Sequence, residues 1–438
     1  MNVYREACAV RSNVKLGTVV GKFPVGQRYA AGDWVSADRV FLIDRDGRRV
    51  QDCFSGGGSA NLGYLAELTE QEPSRERQAA QVSRLCHALA DMAAPALSHV
   101  FLRQSADEAL KLALTSAHHY FVARGRPDKT YFLELEFTRR TTMRAVGSAK
   151  TLKNSVFDVR SAYLPAMHLF YGAETQNDVE PSVDWTHQAV ASLKRFVTLN
   201  GADRCAGIIV EPVQLFGELE IIPSGFLARL RSECDRLGTL LIVNERLSGF
   251  GRTAGVFFSS DEGVVPDILV VGDGMSSGYL ETGAALLSDH VGDTLNRANT
   301  AEVNVEGRSY TALSDVSVTN TALQLYTFGG VEAARDISAY FQARLNELLR
   351  MPYVGDVRVK GLLATIAIVE DKVRNVKFLP RATVGERILS SALERGLIFQ
   401  VIEGDVLAFA PSFNYTFADI DALVEGVRNS IAATFFSR

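Results

Sequence analysis

LIVNERLSGFGRTAGVFFSSDEGVVPDILVVGDG, residues 241–274, has an apolar strand-like run near each end and a glycine-punctuated turn between them. TLLIVNE (239–245) and DILVVG (267–272) are short, continuous and rich in β-branched residues, as expected of strands buried on both faces. Upstream, AGIIVEPV (206–213) is a third such run. Ser224 to Leu237 lies between the runs and has helical periodicity, with Phe226, Leu227, Leu230 and Cys234 on one side. Pro223-Ser224 supplies a start signal and Gly238 a stop. Strand, helix, strand at this spacing is a βαβ unit, which implies a mostly parallel sheet covered on both faces.

Working outward, YFLELEF (131–137) is a further strand. Residues 38–54 form two short strands around the tight turn at Asp46-Gly47, and a glycine-rich stretch follows at 55–63. The last hundred residues change character. A long helix over 331–350 precedes paired strands over 355–369, a helix over 384–396, strands near 397–410 and a final helix over 417–432. The expected organisation is a large domain over 66–325 and a small α+β domain over 326–438, with residues 1–65 contributing to the small domain.

Composition excludes several function classes. The chain has 438 residues, 47% of them hydrophobic, and a formal charge of −5, with no Lys/Arg cluster interleaved with aromatics. Neither nucleic acid nor an anionic membrane is an expected partner. The five cysteines are scattered without a CxxC pair, which argues against a disulfide framework or structural zinc. The seven histidines fall at no metal-ligand spacing. Residues 1–15 carry charge without a following apolar run, so a cytoplasmic location is expected.

Several segments in order resemble the class III aminotransferases. IDRDGRRVQDCFSGGGSANLGY (43–64) is similar to the family's N-terminal segment, AGIIVEPVQ (206–214) to its EP-x-Q strand end, and VRVKGLL (357–363) to its VRG-x-GL. Residues 241–274 mirror "LI-x-DEVQ-x-GFGRTG … PDI-x-x-x-x-KG" almost position for position. The opening stretch, residues 10–35, resembles the diaminobutyrate branch. The resemblance implies the fold-type I architecture, an α/β fold with a mostly parallel mixed sheet covered by helices plus a smaller α+β domain. It also implies a homodimer acting on a small-molecule substrate.

At the positions where this family holds and uses pyridoxal phosphate, other residues stand. Asp273 occupies the place of the catalytic lysine, and no lysine occurs between Lys194 and Lys360. Asn244, Glu245, Arg246 and Leu247 replace DEVQ, so a neutral amide stands where an Asp would pair with the ring nitrogen. FLRQSADEALKLA (101–113) matches the phosphate-cradling turn without its glycine and with a shortened loop. Phe137 keeps the stacking aromatic, but Thr138 and Arg139 follow it in place of His-Gly. Thr311 matches a threonine that reaches across the dimer, and Ala408 replaces a carboxylate-binding arginine.

These substitutions lead to the expectation of a degenerate scaffold with no cofactor. One form is a repurposed enzyme in specialised biosynthesis, acting in the old pocket on a small anionic substrate. Asp273, Arg246 and Asn244 would be catalytic there, and Arg139, Phe137, Glu245, Glu211 and Thr311 would bind substrate. The other form is a catalytically silent structural or regulatory subunit paired with an active partner enzyme. A third, less favoured, is non-covalent pyridoxal phosphate binding with residual aminotransferase-like activity. Individual residues also have plainer roles open to them. Asp273 could simply cap a turn beside two glycines, and Arg246 could form a salt bridge with Asp273 or Glu211.

Overall fold

The computed structural model describes residues 34–65, 78–136, 157–164, 183–215, 219–298, 313–374 and 376–436. The chain opens with β1 (Trp34–Asp38), β2 (Phe41–Asp44) and β3 (Arg49–Asp52). The turn between the last two needs Gly47, at φ +80°. Helix α1 (Gln78–Met92), β4 (His99–Arg103), α2 (Ala106–Ala123), β5 (Tyr131–Glu136) and β6 (Asp158–Tyr163) follow. Next come α3 (Val183–Asn200), β7 (Cys205–Val210) and a small hairpin of β8 (Val213–Gln214) and β9 (Glu220–Ile221). The middle ends with α4 (Phe226–Leu237), β10 (Leu240–Asn244), β11 (Ile268–Val271), β12 (Gly283–Leu287) and α5 (Asp289–Arg297).

Helix α6 (Leu313–Leu325) meets α7 (Val331–Asn346) through a distorted turn at Tyr326–Gly330, where Gly329 takes φ +108°. Then come β13 (Val354–Lys360), β14 (Leu363–Asp371), β15 (Val376–Lys377), α8 (Val384–Glu394), β16 (Leu397–Ile398), β17 (Gln400–Ile402), β18 (Val406–Phe409) and α9 (Phe417–Phe436). The helix expected from Ser224 starts at Phe226, behind left-handed Gly225, and stops at left-handed Gly238. The helix expected over 331–350 is α-helical to Asn346 and tightens to a 3₁₀ turn over Glu347–Arg350.

Among the described residues the central sheet has seven strands, in the order β4-β12-β11-β10-β7-β5-β6. Strands β11, β10, β7, β5 and β6 are mutually parallel, while β12 runs antiparallel to both β11 and β4. Six of the seven therefore point the same way, and their C-terminal ends share one edge. Both faces are packed. Leu241 and Val243 enter one apolar core and Ile242 the other, as do Ile208 and Val210 against Ile209. Each such fully buried aliphatic side chain contributes roughly 1.5–3 kcal/mol of transfer free energy. This is the fold-type I α/β architecture that the sequence implied.

Besides the β8–β9 hairpin, two further sheets lie outside it among the described residues. One joins β1, β2 and β3 to β16, with Leu397 and Ile398 pairing in parallel with Gln51 and Asp52. The other is built on β13, β14, β18 and β17, with β15 on β14.

Candidate active site

Side chains with chemistry collect where the parallel strands end. Asn244 closes β10, Glu211 follows β7, Gly272-Asp273 follow β11, and Arg103 closes β4. Helix α2 starts at the same edge, three residues after the end of β4, with Ser105 as its N-cap accepting a hydrogen bond from the Glu108 N–H at 3.2 Å. The connection expected to be shortened is therefore Gln104-Ser105. A Cβ on Gly272 would lie 3.0 Å from the Ala106 Cβ and 3.2 Å from that of Arg246. The missing side chain is what lets the first turn of α2 and the Arg246 backbone close on the strand end.

Asp273 heads a short 3₁₀ turn, Asp273–Ser276, and its Oδ1 accepts a hydrogen bond from the Thr282 N–H at 3.1 Å. Burial pushes this carboxyl up to about 6, and Glu281 and Asp107 push the same way. The Thr282 N–H and Arg246 act in the opposite sense without cancelling that rise. The group can therefore both hold and release a proton near neutral pH.

Arg246 does not pair with Asp273 or Glu211, the partners its plainer role allowed. Its Nη1 lies 2.9 Å from Asp107 Oδ1, on the first turn of α2. Asn244 is buried and donates from Nδ2 to Glu211 Oε1 at 2.8 Å, while its own Oδ1 has no hydrogen-bond partner. A buried amide oxygen left unmatched costs about 1–3 kcal/mol, so this oxygen is poised to accept from a ligand N–H or O–H.

Glu245 is placed apart from this group. It is fully buried, and its two oxygens accept from the Ser248 and Ser259 hydroxyls and from the Phe258 and Ser259 N–H groups, at 2.6–2.9 Å. With both oxygens committed, it braces the turn that follows β10 rather than facing substrate. Ala408 lies in the core on β18. Phe137, Thr138, Arg139 and Thr311 lie outside the described residues. No cluster of metal-ligating side chains occurs among the described residues.

Two residues of this edge were missed from sequence, Asp107 and Arg103. Asp107 had a signal, because SADEA (105–109) occupies the family's S-G-[ST]-E-A turn without a gap and places a carboxylate at the hydroxyl position. Arg103 had none beyond its place at a strand end.

The family model for aminotransferase class III matches residues 25–431. Diaminobutyrate–2-oxoglutarate transaminase of Halomonas elongata is 27% identical, over 90% of this chain and 88% of its own. Among solved structures, a thermostable (S)-enantioselective omega-transaminase from Thermomicrobium roseum is 25% identical with a TM-score of 0.78, covering 99% of this chain and 98% of its own. An amine transaminase from an uncultivated Pseudomonas species, in its PLP-bound form, is also 25% identical with a TM-score of 0.78, covering 96% and 99%.

These findings correct the expectation of a degenerate protein, whether as a cofactor-independent enzyme or as a silent subunit. The relatives and neighbours are aminotransferases and transaminases, and nothing in them indicates a degenerate, cofactor-independent branch. That expectation weighed a handful of side chains against the family pattern. Such side chains change individual contacts, whereas the family match runs over residues 25–431.

Proposed function

The chain belongs to the class III aminotransferase family, and on that premise we propose that it is an enzyme of amino-group transfer between a small amine or amino acid and a 2-oxo compound. The reading is carried by the family match over residues 25–431, which includes every described strand that delivers a side chain to this edge. We further read it as a cytoplasmic homodimer; no helix among the described residues is long and apolar enough to cross a membrane.

The family implies pyridoxal phosphate, and the residues can be tested against it. A covalent tether does not fit, because Asp273 stands at the lysine position and a carboxylate forms no Schiff base. A seat without a tether does fit. The unmatched Asn244 Oδ1 suits a ring N–H donor, and Arg246 with the first N–H groups of α2 suits a phosphate. When bound, this cofactor supplies an electron sink for the carbon that bears the amino group.

The chain's own residues supply the rest. Glu211 accepts the Asn244 Nδ2–H bond and so fixes the amide, leaving its oxygen open to a donor. Asp273, with its carboxyl raised to about 6, is the group that would carry a proton to and from the reacting carbon. Asp107 orients Arg246 by their ion pair.

The test supplies purified protein with pyridoxamine 5′-phosphate and either 2-oxoglutarate or pyruvate, and separately with pyridoxal phosphate and diaminobutyrate. Amino acid formed or amine consumed is followed by chromatography. Protein-dependent transfer in at least one direction is expected, and it should fall at least tenfold in Asp273→Ala, since a positioned acid–base group contributes roughly 10²–10⁴-fold. Absence of transfer from every pair tested would overturn the reading.

A further inference from the structure

Arg103 is an unusual cation. It is only 7% exposed, yet no carboxylate oxygen lies within salt-bridge distance of it among the described residues. Its Nη1 donates to the Leu102 carbonyl at 2.8 Å, a weak substitute for a counter-ion, and its Nε is buried with no hydrogen-bond partner. The nearest acid in sequence, Glu108, accepts from the Gln104 N–H at 3.3 Å instead. Burial pulls the guanidinium's pKa down, with Glu108 acting from a distance in the opposite sense. A buried charge lacking a partner is costly, and such groups collect where a ligand completes them.

Its position in the fold says which ligand. Arg103 closes β4 at the edge where the parallel strands end, and it sits opposite Gly283 in the pairing with β12. The residue before Gly283 is Thr282, whose N–H holds the Asp273 carboxyl. The 18-residue helix α2 starts three residues after Arg103 in the chain, at the same edge of the sheet, where the positive end of its dipole favours an anion. Asp107 on that first turn is already committed to Arg246.

We propose that Arg103 receives an oxyanion of the substrate, a carboxylate or a phosphate, and so makes this enzyme selective for anionic amines or 2-oxo acids over uncharged ones. The reacting end of that substrate rests on the amino-group-transfer reading, whereas the anion seat does not. A planar, delocalised guanidinium matches both oxyanions by two parallel N–H donors, which an ammonium cannot do.

The experiment measures anion binding by thermal melting and titration calorimetry of the whole protein, with inorganic phosphate in one arm and glutarate in the other. Chloride at equal ionic strength is the control. At least one anion should raise the melting temperature of the unaltered protein beyond the chloride control. The arm that responds identifies phosphate or carboxylate as the source. Arg103→Gln should weaken that binding roughly ten- to a hundredfold, the loss expected for a charge-assisted hydrogen bond. If Arg103→Gln does not fold, Arg103→Lys carries the test and should bind more weakly than the unaltered protein. Failure of both anions to stabilise the unaltered protein overturns the proposal, and so does undiminished binding in the variant. Neither readout depends on turnover, so loss of the amino-transfer reading would leave this result standing, and the reverse.

Discussion

The Asp273 carboxyl accepts the Thr282 N–H at 3.1 Å and is pushed up to about 6 by burial. The match of Asp273 to the family's lysine is a reading of the resemblance in residues 241–274, whereas its partner and its acidity depend on Thr282 and on burial. The folded-state value is about 6 against 3.8 for the unpressed carboxyl, so between those values the folded chain keeps a proton that the unfolded chain has released. Stability therefore falls as pH rises through that window and stays reduced above it. Asp273→Asn keeps a carbonyl for the Thr282 N–H and removes the charge. It should raise the unfolding free energy at about pH 7.5 by about 2 kcal/mol, allowing for partial exposure, and change little at about pH 4. Urea melts at the two pH values decide it; a variant no more stable at the higher pH would contradict the account. Arg246 carries a related lesson. Its charge was readable, but its partner Asp107 lies 139 residues away, and the two acids first considered for it are not the one it meets.

At the scale of elements, strands and helices were readable because apolar periodicity is a local signal, and the four apolar runs of the central sheet fall within three residues of expectation. What was not readable is how closely elements approach. Gly283 on β12 is an example. A Cβ there would lie 2.3 Å from the Ser105 carbonyl oxygen and 2.7 Å from the Ala106 nitrogen, both backbone atoms at the start of α2. Backbone cannot rotate aside as a side chain can. Gly283→Ala should therefore push the helix start from the strand edge and destabilise the protein by about 1–3 kcal/mol, the usual cost of overpacking. It should also weaken any ligand held at that edge. Unchanged urea midpoint and ligand affinity would show that the helix start tolerates the displacement. The turn after β10 was misjudged for a similar reason. Glu245 looked available to a substrate, but the chain folds Ser248, Phe258 and Ser259 back onto it.

Across the whole molecule, the two ends of the described chain are tied together. Strand β3 pairs with β16, and Arg39 grips Asp419 through two hydrogen bonds of 2.7 and 2.9 Å across 380 residues. Burial would raise the Asp419 carboxyl, but Arg39 and Thr416 overcome it and hold the group below its usual range. A depressed acid contributes stability that is present above the unfolded value of 3.8 and is lost as pH falls through the folded value. Asp419→Ala should cost about 2 kcal/mol at neutral pH, within the range for charge-assisted bonds, and the difference from the unaltered protein should shrink at about pH 3. A difference that persists undiminished in acid would show that packing rather than charge joins the ends. By itself the sequence determined the order of elements, the fold-type I architecture and the family, because short motifs and apolar periodicity are written in neighbouring residues. Tertiary structure alone decided which charges meet and which stay unmatched. Arg246 with Asp107, Asn244 with its open oxygen, Glu245 turned inward and Arg103 without a counter-ion all depend on distances between remote segments and on the loss of water that burial brings.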